Sequence, residues 1–187
     1  MTKRIHILGA SGSGTTTLGR AVMQRFGYSH FDTDGYYWLA TDPPFTHPRD
    51  TTSRQQRLMD DLRAHEAWVL SGSLYGWGDV AIPLFELVVY LWIPPELRLQ
   101  RLRQRETERY GDRVARGGDR YEQSQAFLDW AAAYDEDGPD MRSKCLHEQW
   151  LRSLPCPVVR IEGDYSTDMR LDKLTASMWK PPGRGQR

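Results

Sequence analysis

Gly9-Ala-Ser-Gly-Ser-Gly-Thr-Thr-Thr17 joins two segments with different hydrophobic patterns. Before it, residues 4–8 form a short apolar run typical of a strand, and after it residues 16–26 carry apolar side chains at helical spacing. Closely spaced glycines let the backbone curl so that several N–H groups point at one anion, and a following helix adds partial positive charge. This unit of strand, glycine loop and helix predicts a phosphate-binding site.

Two of the glycines match a phosphate-loop signature, and one position departs from it. Gly9 and Gly14 have the spacing of the P-loop, G-x-x-x-x-G-K-[ST], in which Thr16 would place its hydroxyl on a magnesium ion. Thr15 stands where the signature has lysine, so a positive charge on the β- and γ-phosphates is missing. Losing one such donor typically costs on the order of 10²–10³ in rate. Either another cation substitutes, for which the sequence offers enough arginines, or turnover is weak.

Two other interpretations of the glycine stretch stay open. Gly-Ser-Gly also suits a plain tight turn between a strand and a helix. A dinucleotide-binding turn is the second alternative, because Asp32 lies close to ~20 residues beyond Gly12, where a ribose-binding acid belongs. That motif needs glycine at the position of Thr17, and threonines here replace the small residue that allows close helix packing.

The rest of the chain alternates between predicted strands and predicted helices. Further strands are predicted at residues 29–32, 67–70, 87–93 and 157–161. Helices are predicted at 51–65, 96–108, 141–154 and 167–179, and another helix ends at residue 133. Such alternation implies right-handed crossovers and a parallel sheet with helices on both faces, an α/β fold. We expect irregular structure at 35–48, a mobile loop at 106–120 and a disordered tail at 181–187.

Composition limits the number of domains, the partners and the compartment. A chain of 187 residues predicts one domain, residues 1–180. Lys plus Arg equals Asp plus Glu at 25 each, so no overall basic field recruits nucleic acid or an anionic membrane. The two cysteines, Cys145 and Cys156, lack metal-ligand spacing and fit a reducing compartment. Without a signal peptide or an apolar run near the ~20 residues of a membrane span, a cytoplasmic location is expected.

The whole arrangement resembles the small P-loop kinases, the group that contains nucleoside monophosphate kinases and shikimate kinase. The resemblance implies a three-layer fold with a five-stranded parallel sheet of order 2-3-1-4-5, an acceptor-binding segment at about 35–66 and a lid at about 106–120. It implies ATP and Mg²⁺ as cofactors, with the nucleotide held by Gly9, Ala10, Ser11, Gly12, Ser13, Gly14, Thr15, Thr16 and Thr17.

Two aspartates at the end of the second predicted strand, in Asp32-Thr-Asp34, resemble a pair carried by shikimate-type kinases. The resemblance implies that Asp32 holds a magnesium water near Thr16, and that Asp34 binds or deprotonates the acceptor. Alternatively, both aspartates cap the turn that follows them.

Arginines after the fourth predicted strand resemble the pair that opens the lid in nucleoside monophosphate kinases. Arg101 and Arg105 lie four residues apart, on one helix face. The resemblance implies that Arg101 lies against the adenine and that Arg105 contacts phosphate. A solvated basic helix, with its arginines paired to Glu106 and Glu108, is the alternative.

Three more arginines, Arg113, Arg116 and Arg120, lie in the predicted lid. A closing lid would supply the charge that Thr15 lacks, since an arginine finger is worth roughly 10³–10⁵ in phosphoryl transfer. Spacing does not choose among the three, and we name Arg113 and Arg116 as catalytic candidates.

The remaining candidate residues would bind the base or the acceptor. Gly163 and Asp164 match the place where these kinases wrap the adenine, although a plain strand-to-helix turn explains them equally well. Tyr37 would stack on a planar acceptor or form part of the wall, and Arg54 would bind an anionic acceptor or face water. The third strand ends in Ser71-Gly-Ser73, where adenylate kinases show Asp-Gly, so the acceptor is open.

Together these features predict an ATP- and Mg²⁺-dependent phosphotransferase acting on a nucleoside monophosphate or a hydroxylated metabolite. A nucleotide-binding protein with little or no catalysis is the alternative, because of Thr15. A nucleotide-dependent regulator of nucleic acid is a third hypothesis, which the neutral charge balance disfavours. We expect a monomer or homodimer.

Overall fold

Five parallel strands form the centre of the molecule. The computed structural model describes residues 1–136 and 142–179. The strands are β1 (Arg4–Gly9), β2 (Ser29–Asp32), β3 (Trp68–Ser71), β4 (Leu87–Trp92) and β5 (Val158–Glu162). They pair in parallel in the order β2-β3-β1-β4-β5, which confirms the order 2-3-1-4-5.

Helices follow or connect the strands and cover both faces of the sheet. They are α1 (Thr15–Phe26), α2 (Thr33–Tyr37), α3 (Thr51–Ala64), α4 (Pro95–Tyr110), α5 (Tyr121–Ala132), α6 (Lys144–Arg152) and α7 (Thr167–Met178). Asp50, Ser143 and Ser166 each accept a hydrogen bond from the backbone N–H three residues further on, at the starts of α3, α6 and α7. Such caps are each worth about 1 kcal/mol and set where these helices begin.

Apolar packing on both sides holds the sheet rigid. Val88, Val89, Tyr90 and Leu91 of β4 are fully buried, as expected for a parallel strand covered on both faces. One core cluster joins the sheet to α3 and α6 and includes Leu58, Leu62, Trp68 and Trp150. The other joins it to α1 and α7 and includes Leu18, Val22, Val69 and Leu174. The carboxyl ends of the strands therefore form a fixed platform for a site.

The structure differs from the sequence prediction in two segments. Irregular structure was expected from residue 35, but α2 continues to Tyr37, because the Asp32 carboxylate caps it through the Asp34 backbone N–H at 3.1 Å. The loop expected at 106–120 is helical as far as Tyr110, since Leu102 and Glu106 turn inward and extend the buried face of α4. A short 3₁₀ helix, Gly111–Val114, follows it. The tail at 181–187 lies outside the described residues.

The helices and the two cysteines were also compared with the expectations from composition. In the part of the chain that the structure describes, no helix is both long enough and apolar enough to cross a bilayer. Cys145 and Cys156 are both free thiols.

Candidate active site

The glycine loop lies where β1 ends and α1 begins, at the carboxyl edge of the sheet. Gly12 and Gly14 have φ angles of 83° and 96°, in the left-handed region that glycine adopts without strain. A Cβ added to Gly12 would lie 2.9 Å from the backbone oxygen of Arg98, so the loop packs closely against α4. The curled backbone and the start of a helix of three turns have the geometry that suits an anion.

Two cavities meet at this loop. The larger has a volume of about 610 Å³ and extends towards α2, α4 and α5. The smaller has a volume of about 400 Å³ and lies between α4 and the start of α7. Both are lined by Gly12, Thr15, Thr16 and Arg105. Two molecules, one bound in each cavity, could therefore meet beside these four shared residues.

Thr16 and Asp32 form a hydrogen-bonded pair beside the loop. The Thr16 hydroxyl donates to Oδ2 of Asp32 at 2.7 Å, and the Ser71 hydroxyl donates to the same oxygen at 3.1 Å. His30 Nε2 lies 2.9 Å from that Ser71 hydroxyl, so a chain of polar groups orients the carboxylate. Asp32 also caps α2, as the alternative interpretation predicts, through its other oxygen.

The oxygen donors of this pair fit a magnesium ion. Within the described residues, no three His, Cys, Asp or Glu side chains cluster closely enough to hold a metal by themselves. Mg²⁺ commonly takes one or two protein oxygens and fills its other positions with phosphate oxygens and water. One carboxylate and one hydroxyl next to a phosphate loop therefore suit Mg²⁺ and leave room for a phosphate.

Asp34 lines the larger cavity, and its side chain stays accessible to solvent there. Burial raises the pKa of its carboxyl above the ordinary value, and the neighbouring charge of Asp32 raises it further. The guanidiniums of Arg142 and Arg105 oppose this rise. A carboxylate whose pKa is shifted towards neutrality, in a cavity, is suited to accept a proton from a hydroxyl.

Arg142, which the sequence reasoning missed, reaches into the larger cavity just before α6. Its Nη2 donates to the Ser11 hydroxyl at 3.0 Å, and its guanidinium lies 4.9 Å from the centre of the Trp130 ring. Burial lowers the pKa of this guanidinium, and the attraction of Asp34 opposes that shift. No local signal marks the residue, because the contact with Ser11 spans 131 positions of sequence.

Arg101 and Arg105 both line the smaller cavity on the side of α4, as their common helix face predicts. Arg101 forms an ion pair of 2.8 Å with Asp164, and Arg105 faces both cavities. Asp164 thus touches the site through Arg101, and neither it nor Gly163 lines either of these two cavities. The opposite wall is formed by the residues that follow them, Tyr165, Ser166 and Thr167.

The lid arginines occupy different places. Arg113 is exposed and binds the Asp119 carboxylate with Nη2 at 2.7 Å, so its charge is already paired. Neither Arg113 nor Arg116 lines either cavity, and the structure does not bring them to the loop. Arg120 does line the larger cavity, where its guanidinium lies 4.0 Å from the centre of the Tyr110 ring. In this conformation Arg120 is therefore the best placed of the three.

Tyr37 and Arg54 lie together, but only Tyr37 faces the larger cavity. Arg54 is buried, with its guanidinium 4.1 Å from the centre of the Tyr37 ring and two donated hydrogen bonds to the Arg49 backbone oxygen. Its placement among the acceptor-binding residues is thus corrected, because its guanidinium is held behind the Tyr37 ring and does not line the cavity. The cavity wall itself is rich in aromatic rings: Tyr37, Trp38, Phe45, Tyr75, Trp77, Tyr110, Phe127 and Trp130.

A five-stranded parallel sheet of this order, with a glycine loop after its central strand, defines the fold of the small P-loop kinases. A family model confirms the class: the AAA domain model matches residues 5–127, and the chain belongs to that family. The chain is 51% identical over 174 residues to YqaC, an uncharacterized protein of Bacillus subtilis (strain 168), covering 93% of this chain and 96% of that one. It is 32% identical over 113 residues to shikimate kinase of Thermosynechococcus vestitus, covering 54% of this chain and 60% of the kinase.

Solved structures show the same fold at low sequence identity. Shikimate kinase of Bacteroides thetaiotaomicron superposes with a TM-score of 0.57 at 14% identity, over 95% of this chain and 99% of that one. Deoxyadenosine kinase of M. mycoides with bound dATP gives a TM-score of 0.54 at 12% identity, over 94% and 98%. These similarities confirm the kinase-type fold over almost the whole chain.

Proposed function

We propose that this protein is an ATP- and Mg²⁺-dependent phosphotransferase of the cytoplasm that acts on a small acceptor. One observation carries the proposal: two cavities meet at a glycine loop and share Gly12, Thr15, Thr16 and Arg105. A transferase needs its donor and its acceptor to meet in one place, because positioning supplies much of the rate of phosphoryl transfer. A protein that only binds a nucleotide has no need for the second cavity.

The smaller cavity takes the nucleoside part of ATP. Its walls are Arg101 of α4 on one side and the turn from Tyr165 to Thr167 on the other. A guanidinium plane is suited to stack on a base. The ion pair between Arg101 and Asp164 holds that wall in place. The triphosphate then follows the loop from Thr17 towards the larger cavity.

The Thr16 hydroxyl and the Asp32 carboxylate would hold a magnesium ion. When bound, the ion neutralises charge on the β- and γ-phosphates and orients them. The chain's own part is to keep the two oxygens together, which the hydrogen bonds of Asp32 to Thr16 and Ser71 achieve.

Asp34 accepts the proton of the acceptor hydroxyl in the larger cavity. The acceptor oxygen forms a bond to the γ-phosphorus, the bond from that phosphorus to the β-bridging oxygen breaks, and ADP leaves. Arg105 and Arg142 face Asp34 from the same cavity and would stabilise the charge on the transferring group. The roles of Arg113 and Arg116 would require the lid to move.

The acceptor is a nucleoside monophosphate or a hydroxylated metabolite. Aromatic rings in the cavity wall favour a molecule with a flat face, and the four arginines Arg105, Arg109, Arg120 and Arg142 favour an anionic one. The relative and the superposable structures that act on shikimate and deoxyadenosine are consistent with an acceptor of this size.

Phosphate transfer from radiolabelled ATP tests this proposal directly. The purified protein is offered nucleosides, nucleoside monophosphates, shikimate and sugar acids with and without Mg²⁺, and the labelled products are separated. We expect Mg²⁺-dependent labelling of one acceptor class and its loss in Asp34→Asn. Binding of ATP with no labelled product in any class would contradict the proposal.

A second function, nucleotide binding with little catalysis, is favoured by Thr15, which removes the lysine charge from the loop. Calorimetry with ATP separates the two functions when it is run on the same samples. Binding that is tight and independent of any acceptor, together with no transfer, would establish a nucleotide sensor instead of a kinase.

A further inference from the structure

Arg170 reaches from α7 to the rim of the glycine loop. Its Nη1 donates to the Ser13 backbone oxygen at 2.6 Å, across 157 positions of sequence. A Cβ added to Gly14 would lie 2.8 Å from the same nitrogen, so the guanidinium touches the loop at two successive residues. The side chain also lines the smaller cavity together with Thr15, Thr16 and Thr17.

The guanidinium is buried without a matching negative charge. Arg170 is only 5% exposed, and among the described residues its Nε and Nη2 have no hydrogen-bond partner. The nearby carboxylate, Asp164, is instead paired with Arg101. A buried charge with unsatisfied donors is strongly unfavourable unless an anion compensates it. The fold therefore maintains a buried cation with no ion-pair partner among the described residues at the edge of the glycine loop.

Three other arginines of the site and the lid are more fully engaged than Arg170. Arg142 faces the carboxylate of Asp34 and binds the Ser11 hydroxyl, and Arg120 lies on the Tyr110 ring. Arg113 is paired with Asp119. Arg170 combines contact with the loop backbone, a place in the nucleotide-side cavity and two free donors.

We propose that Arg170 supplies, from outside the loop, the positive charge on the nucleotide phosphates that Thr15 does not provide. The inference rests on the nucleotide-binding half of the proposed function and is independent of whether transfer follows. Arg170 would bind the phosphate chain from the side of the nucleoside, whereas a lysine in the loop binds it from within.

Calorimetry with ATP and with adenosine tests the proposal on three variants of the full chain. Arg170→Gln keeps a donor for the Ser13 oxygen but removes the charge, and we expect ATP affinity to fall about 10- to 100-fold, as for loss of one charged hydrogen bond. Adenosine affinity is expected to stay within about threefold, because adenosine has no phosphate. Arg170→Lys should retain most of the ATP affinity.

The decisive variant adds a loop lysine to the neutralised protein. Thr15→Lys combined with Arg170→Gln should recover ATP affinity if the two positions supply the same charge. Arg63→Met, at an exposed arginine of α3, is the matched control and should leave both affinities unchanged. Equal losses for ATP and adenosine in Arg170→Gln, or no recovery in the double variant, would mean that Arg170 only supports the loop and would overturn the proposal.

Failure of the inference is distinguishable from failure of the proposed function. ATP binding that depends on Arg170, without transfer to any acceptor, would support the inference and contradict the kinase activity. Phosphate transfer that is unaffected by Arg170→Gln would support the kinase activity and contradict the inference. If Arg170→Gln does not fold, Thr15→Lys alone decides: a gain in ATP affinity of tenfold or more would show that no other residue fills the lysine's role.

Discussion

Arg142 donates a hydrogen bond to the hydroxyl of Ser11 at 3.0 Å, which places its guanidinium over the first turn of the glycine loop and towards Asp34. The Trp130 ring lies against the other side of the guanidinium, at 4.9 Å from its centre. Held in this way, the charge is fixed before substrates arrive, which is the condition under which a cation stabilises a transition state most effectively.

Arg142→Gln should reduce the rate of phosphate transfer on the order of 10²- to 10³-fold, the usual cost of one preorganised donor. ATP affinity should change little, because Arg142 lies in the larger cavity and does not line the smaller one. Steady-state kinetics and calorimetry on the same preparation measure the two effects. A matched control is Arg152→Gln, an exposed arginine at the end of α6. Parallel losses of rate and ATP affinity would contradict this role.

The pH dependence of transfer should reveal the coupling of Arg142 to Asp34. The base must be ionised, so the rate rises with pH through the pKa of Asp34, which burial places above its ordinary value. Because Arg142 opposes that rise, Arg142→Gln should move the acid limb of kcat/KM to higher pH, and Arg105→Gln should do the same. Profiles from pH 4 to 8 measure the shift. A limb that stays in place would mean that another group titrates.

Short sequence patterns predict the features of this molecule that depend on residues close together in the sequence. The glycine loop and the alternation of strands and helices follow from motifs and hydrophobic patterns, whereas the strand order and the pairing of Asp32 with Thr16 follow from the resemblance to the small P-loop kinases. Arg142 and Arg170 could not be found in this way, because their contacts with the loop span 131 and 157 positions. Only the packing of α6 and α7 against the sheet brings them there.

Arg54 shows that a residue type alone can predict a binding role that its surroundings do not support. An arginine in the acceptor segment suggests an anion site, yet this one is buried, donates two hydrogen bonds to the Arg49 backbone oxygen and lies on the Tyr37 ring. The sequence gives no sign of this, since a stacked and a ligand-binding arginine have the same local pattern.

Removal of the Thr16 hydroxyl should uncouple Mg²⁺ from ATP binding. Thr16→Val keeps the shape of the side chain and removes both the hydrogen bond to Asp32 and an oxygen suited to the ion. We expect the increase in ATP affinity on adding Mg²⁺ to disappear, with affinity in its absence nearly unchanged. Calorimetry with ATP, with Mg²⁺ and with EDTA measures this. Thr107→Val, on the exposed side of α4, is the control. Unaltered Mg²⁺ dependence would place the ion elsewhere.

Two buried histidines should make the fold sensitive to acid. His6 is fully buried; its Nδ1 donates to the Leu70 backbone oxygen at 3.1 Å, and its Nε2 has no partner among the described residues. His147 is also fully buried, with Nε2 3.0 Å from the Ser73 hydroxyl and Nδ1 2.8 Å from the Tyr134 hydroxyl. Burial lowers the pKa of His6 to about 4 and that of His147 to about 3, from 6.5.

The sign of the effect follows from proton binding. Above pH 6.5 both histidines are neutral in the folded and the unfolded chain, so they add no pH dependence. Between pH 6.5 and about 4 the unfolded chain binds protons that the folded chain does not, so the free energy of unfolding falls as pH falls. His6 alone accounts for a loss of roughly 3 kcal/mol over this window, at 1.36 kcal/mol per pKa unit.

Urea unfolding at a series of pH values from 7 to 4 measures this loss. His6→Leu removes one titrating group, so its free energy of unfolding should depend less steeply on pH than that of the parent, whatever its stability at pH 7. His47→Leu is the control, because His47 lies at the surface of the segment before α3 and its loss should leave the slope unchanged. Equal slopes in the parent and His6→Leu would show that His6 takes up a proton as readily in the folded chain as in the unfolded one, which the unpartnered Nε2 argues against.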